Sequence, residues 1–184
     1  MEKNIEYFLD KIKWDNSKAC LELHNHFKEN YSDAKGSSFN HQTWTWWYMQ
    51  HIKDILNLSE IIYNSTANYH KNRFEVEDSY LVLFLHDIEK PVFYTKNKTL
   101  EVLDLLEWKT EENKEEYVWK VRDYFLEKFN IVLSDDIKHA LKYIHWEWND
   151  FSQKQRISSP LGSHCHIADT FSARISYDYN ESKN

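Results

Sequence analysis

LVLFLHDIEKP, residues 81–91, couples the most apolar run of the chain to a knot of chemically active side chains. Leu81 to Leu85 are all apolar, and His86 and Asp87 follow directly. Glu89 and Lys90 add two more charges before Pro91. The pattern predicts a helix over 77–89. Pro91 should stop its continuation, because proline has no N–H and clashes with the preceding turn. Burying His86 or Asp87 without a partner would cost several kcal/mol. Partners for the pair must therefore come from elsewhere in the chain.

Composition says what kind of scaffold supplies them. The chain has 184 residues, enough for one domain with its own core. Two Gly and two Pro are too few for the many turns of a β fold. The expectation is an all-α, single-domain helical bundle. The net charge is −7 with no basic block, which disfavours duplex nucleic acid, since its phosphates are bound by Lys and Arg. Cys20 and Cys165 lie far apart and read as reduced thiols rather than a disulfide framework. The opening MEKNIEYFLDKIKW is charged throughout, unlike a signal peptide. No apolar run approaches the length of a membrane span. A soluble, cytoplasmic protein with no membrane partner is expected.

Helical periodicity recurs along the chain. Ile5, Phe8, Leu9 and Ile12 mark a helix over 2–13, and Ala19, Cys20, Leu23 and Phe27 one over 16–31. His24 and His26 of that helix point about 200° apart and cannot share one ion. Residues 39–69 form a long helical region whose clean part is 51–63, with Ile52, Ile55, Leu56, Ser59 and Ile62 on one face. Asn64 to Asn72 reads as loop. Short and amphipathic helices follow over 100–106 and 117–129. Ser134 caps a helix to about Trp148. Residues 149–162 form the longest connection, and a last helix spans 163–177. The organisation expected is an N-terminal helical extension, 1–35, built onto one domain, 36–184.

The partners sought for His86 and Asp87 are His51 and Asp169. His51 precedes the apolar face of 51–63 by helical steps and so points inward. His41 is the alternative upstream ligand. Asp169 lies in HIADTFSARI, beside an apolar stripe of Ile167, Phe171 and Ile175. Each taken alone has a bland reading: His51 a satisfied core histidine, Asp169 an ion pair to Arg174, and His86-Asp87 a helix-end arrangement. Together they offer imidazole and carboxylate ligands on separate helices, which is what a metal site needs.

This order, His, then His-Asp about 35 residues later, then a late Asp, resembles the HD superfamily of metal-dependent phosphohydrolases. HDIEKP is similar to a frequent HDIGK signature of that superfamily, and ADTFSAR to its ADxxxAR ending. The resemblance covers roughly residues 40–177. It implies an all-α HD-type bundle in which His51, His86, Asp87 and Asp169 hold a divalent metal ion (Mn, Mg, Co, Ni or Fe). Glu89 departs from the pattern, standing where the family often has Gly. It reads as a metal ligand, a water-orienting base or a rim charge.

A second ion would need more histidines. His145, in YIHWEWND, resembles the HxE stretch of dinuclear HD proteins, and His166 and His41 are further candidates. His139, His164 and His70 read as bystanders. Lys90, Arg174 and Arg156 are candidates to neutralise phosphate, and Trp148 to wall a pocket for a planar base. The function expected from the resemblance is hydrolysis of a small phosphate ester or nucleotide by metal-activated water, with Glu89, Lys90 and Arg174 as catalytic candidates. The alternatives are an HD-type di-iron oxygenase acting on a small substrate, and a non-catalytic HD-fold binding module. A homodimer is compatible with the sequence.

Overall fold

The computed structural model describes residues 2–13, 15–35, 47–107, 114–145, 147, 150–154 and 156–175. They form α1 (Ile5–Lys11), α2 (Asn16–Asn30), α3 (Trp47–Thr66), α4 (Val76–Leu85), α5 (Glu89–Tyr94), α6 (Leu100–Glu107), α7 (Lys114–Phe129), α8 (Asp135–Tyr143) and α9 (Pro160–Ile175). No strand occurs among the described residues. The fold is all-α, and none of these helices is long and apolar enough to cross a membrane.

Helix α4 is the pillar. Ser79 to Leu85 are buried without interruption, and burial continues through His86, Asp87 and Ile88. An all-round apolar helix is one enclosed by others. Helices α1, α3, α8 and α9 pack on it, and α3 also packs along α9. Helices α1 and α2 contribute Phe8, Leu9, Leu23 and Phe27 to the same core as α4, so the N-terminal segment is part of the bundle.

Local chemistry sets the helix ends. The Asn4 side chain accepts from Tyr7 N at the start of α1, and Ser134 Oγ from Ile137 N at the start of α8. Ser159 caps α9 by accepting from Gly162 N at 3.1 Å, and Pro160 takes the first helical position, where no N–H is needed. A Cβ on Gly162 would come 3.2 Å from Ser158 Oγ, a tight approach to the loop before α9, and 3.5 Å from Ala140 Cα of α8, an ordinary contact. Asn130, at φ 55°, ends α7 in a left-handed turn, with Ile131 N donating to Leu126 O at 2.9 Å.

Five details differ from the sequence reading. Helix α4 ends at Leu85, and His86 to Ile88 form a turn before α5. Pro91 does not stop a helix. It lies in the first turn of α5, where its missing N–H would have no intrahelical partner. Helix α3 runs to Thr66, beyond the clean periodicity. Helix α8 ends at Tyr143 instead of Trp148, and the Ile144 carbonyl accepts from His166 Nδ1 at 2.6 Å in place of a continued helix. On α9 the buried face is Leu161, Cys165, Ala168 and Ser172. Ile167 and Phe171 are about half exposed, and Ile175 lies outside the described side chains.

Candidate metal centre

Three elements converge at the end of α4. His51 comes from the inward face of α3, His86 and Asp87 from the turn after α4, and Asp169 from α9. The α4–α5 break matters here. It leaves two consecutive polar side chains at the mouth of an otherwise apolar pillar, where both reach the neighbouring helices.

The geometry is tight. His51 Nε2 is 3.1 Å from Asp169 Oδ1 and 3.9 Å from Asp87 Oδ2. His86 Nε2 is 3.1 Å from Asp87 Oδ2 and 3.5 Å from Asp169 Oδ1. His51, His86 and Asp169 each offer one ligand atom within 4.8 Å of the others, close enough to hold a metal ion. His51, His86 and Asp87 are almost completely buried, and Asp169 keeps a small exposed edge.

The outer shell orients both imidazoles. His86 Nδ1 donates to Leu83 O at 2.7 Å, and His51 Nδ1 lies 3.3 Å from Ser172 Oγ. In a neutral His86 the contact to Leu83 O places the proton on Nδ1 and leaves the Nε2 lone pair towards the carboxylates, and Ser172 holds the His51 ring with its Nε2 facing Asp169. His86 Nε2 is buried beside two carboxylates without the alignment of a hydrogen bond. Arg122 Nη2, from α7, donates to His86 O at 3.2 Å and fixes the turn from behind.

The electrostatics are those of a site built for positive charge. Burial opposes protonation of His86, yet Asp87 and Asp169 push it up to about 10. Burial alone would raise Asp169, but His145, His51 and His86 hold it well below the usual carboxylate range. Asp87 is likewise held down against burial, by His86 and by Lys90. His51 is lowered by burial, with Asp169 opposing. Two carboxylates thus remain charged in a nearly water-free cluster. Replacing the extra proton by a divalent cation satisfies the same oxygens while using both Nε2 lone pairs.

The other sequence candidates fall in several places. His145 joins the cluster from the solvent side, with Nε2 3.5 Å from Asp87 Oδ1 and Nδ1 3.6 Å from Asp169 Oδ2. It faces the opposite oxygen of each carboxylate from His51 and His86. Burial opposes its protonation, but Asp169 and Asp87 push it up to about 9. Lys90 forms an ion pair with Asp87 Oδ2. Glu89 opens α5 with a buried Oε2 that has no hydrogen-bond partner among the described residues, so it is not a rim charge. Burial and the charge of Asp87 raise its carboxyl above the usual range. His166 Nδ1 donates to Ile144 O at 2.6 Å. Arg156 and Arg174 are exposed on the loop before α9 and on its last turn. His41 and Trp148 lie outside the described residues.

Ser172, Leu83 O and Arg122 escaped the sequence reading. Ser172 had a signal: it follows Asp169 by one helical step in ADTFSAR and so shares its face. Arg122 had none, since it comes from α7 and nothing near it in sequence concerns His86.

One other Ser–His contact is structural. Ser59 Oγ lies 2.8 Å from His164 Nε2 and 2.8 Å from Ser79 Oγ, but Ser59 is wholly buried and offers no substrate access. Set against protein-family models, curated proteins and solved structures, the chain matches none.

Proposed function

We propose that this protein is a metal-dependent phosphohydrolase of the HD type, acting on a small phosphate ester or nucleotide. The observation that carries the reading is the convergence of His51 Nε2, His86 Nε2 and the Asp87 and Asp169 carboxylates, with both Nδ1 atoms engaged outside the cluster. A mixed imidazole–carboxylate set suits Mn, Fe, Co or Ni better than Ca. When bound, such an ion would acidify a coordinated water and polarise a phosphoryl oxygen.

The protein's own residues have distinct tasks in this reading. His51, His86, Asp87 and Asp169 hold the ion. Lys90 orients Asp87 through their ion pair and adds positive charge at the site edge. Glu89, its carboxyl raised by burial and by the charge of Asp87, stands next to the ligand turn as a candidate to pass a proton. Arg156 and Arg174 supply guanidinium groups on the outer surface for phosphate oxygens. His145 closes the solvent side.

The exposed position of His145 across the opposite carboxylate oxygens favours a second reading. His145, with Asp87 and Asp169, would help hold a second ion, as a di-iron oxygenase needs. Metal analysis of purified protein separates the two. Activity on p-nitrophenyl phosphate and a nucleotide panel with Mn, Co and Ni tests the first, with His86→Ala/Asp87→Ala as the control. That double variant should keep its far-UV helicity and lose metal and turnover together. Silence of the parent protein with every metal would sink the hydrolase reading, and two irons per chain would replace it with the second.

A further inference from the structure

His145 stands at the carboxylates through contacts too weak to fix it there. Its Nε2 lies 3.5 Å from Asp87 Oδ1 and its Nδ1 3.6 Å from Asp169 Oδ2, both long for a hydrogen bond. The side chain is 47% exposed, so water screens both attractions. Helix α8 has already ended at Tyr143, so no helical turn fixes the residue either. Its place therefore depends on how the chain on each side of it is tied down.

On one side, His166 Nδ1 donates to Ile144 O at 2.6 Å. On the other, the tie is a carboxylate. Glu147 Oε1 accepts from Ser158 N at 2.7 Å and from Ile157 N at 3.2 Å. A charged oxygen that takes two amide N–H groups makes a strong and directional clamp. The clamped amides lie just before Ser159, the cap of α9, and α9 carries Asp169. We propose that Glu147 is the positioning residue of His145. By clamping the segment that carries the imidazole to the start of α9, it holds the ring on the solvent side of the metal centre. This role presupposes the metal centre proposed above.

The connection has a separate anchor on α8. Asp150 Oδ2 accepts from Tyr143 Oη at 2.7 Å and from Lys142 Nζ at 2.8 Å, and Asp150 N donates to Glu147 O at 2.9 Å. None of these bonds uses the Glu147 side chain. Its carboxylate adds a different tie, across ten and eleven positions of sequence, to the helix that supplies Asp169. Glu147 is only partly buried and lies outside the helices, so the core does not depend on it.

The test uses full-length, metal-free protein, in which proton–nitrogen correlation spectra of the imidazoles read ring environments directly. The His145 signals are those lost in His145→Ala. Glu147→Ala should shift them and leave those of His24 and His26, on α2, in place. Glu147→Gln keeps an acceptor oxygen and should bring the signals most of the way back. Glu147→Asp, which keeps the charge on a shorter arm, should shift the same signals and serves if the alanine variant does not fold. Titration with Co(II) then connects position to metal. Glu147→Ala and His145→Ala should each weaken Co(II) binding by about tenfold or more. The double variant should lose no more than His145→Ala alone, because both changes act through one imidazole. Unmoved His145 signals in folded Glu147→Ala or Glu147→Asp overturn the proposal. So does a double variant whose loss is the product of the two single losses. A parent protein that binds no Co(II), while the His145 signals still move, sinks the metal-centre reading and leaves Glu147 as the residue that places His145.

Discussion

Ser172 Oγ sits 3.3 Å from His51 Nδ1, bridging α3 and α9 across 121 positions of sequence. That contact holds the His51 ring with Nε2 facing Asp169 at 3.1 Å. Ser172→Ala should therefore lower metal affinity by about 10- to 100-fold, the usual penalty for losing an orienting partner of a ligand histidine. Fold stability should change by only about 1 kcal/mol. Competition with a metallochromic indicator measures the first and urea unfolding of the metal-free protein the second. Metal binding as tight as the parent's would remove Ser172 from this role.

Metal uptake should release protons. In the metal-free cluster Asp87 and Asp169 overcome the effect of burial and push His86 up to about 10. At pH 7.5 its Nε2 thus carries a proton that must leave before the lone pair can bind an ion. Roughly one proton per ion should appear, and apparent affinity should rise about tenfold per pH unit below the His86 pKa. Titrations in two buffers of different ionisation heat report the proton count. A binding heat independent of buffer contradicts the assignment of Nε2 as a ligand.

The bundle was legible because its signals are local. The 3.6-residue period of Ile52, Ile55, Leu56 and Ser59 put His51 inside without any tertiary information. His86 and Asp87 were legible as a polar pair after an apolar run. The ends of the helices were less so, because tertiary contacts decide them: Ile144 O accepts from His166, a residue on another helix. The exposed Ile167 and Phe171 show the same limit on α9. Either side of Ala168 could have carried the buried stripe, and packing against α3 and α8 chose the side with Cys165 and Ser172. Lys90, a candidate to neutralise phosphate, also pairs with Asp87 one helical step back, a contact that the sequence reading did not draw.

Glu101 ties the second half of the bundle to the N-terminal helices. It accepts from Tyr31 at 2.9 Å and Tyr124 at 2.7 Å, contacts His26 at 2.8 Å and pairs with Lys128. Burial would raise its carboxyl, but these four partners hold it far below the usual range. Glu101→Ala leaves two phenols and an imidazole without their shared acceptor. The loss should be about 2–4 kcal/mol, seen as a lower urea midpoint with an unchanged slope. Metal affinity should not change, because the cluster lies away from His51 and Asp169. A midpoint equal to the parent's would show that the four contacts add nothing net.

His164 should make stability fall in mild acid. It is buried against Phe74 and Tyr63, and burial pushes it down from 6.5 to about 4, against the opposing hydrogen bond with Ser59. Between those two values the unfolded chain takes up a proton that the folded chain refuses. The contribution of neutral His164 is therefore full above pH 6.5 and is lost as pH falls towards 4, by up to about 3 kcal/mol. His164→Gln keeps a polar partner for Ser59 and cannot titrate. Its stability deficit relative to the parent should be largest at pH 7 and should shrink by pH 4.5, measured by urea unfolding in metal-free buffer. The carboxylates and histidines of the metal cluster titrate in both proteins and cancel in the difference. A deficit that stays constant across that range would mean that His164 takes its proton as readily folded as unfolded.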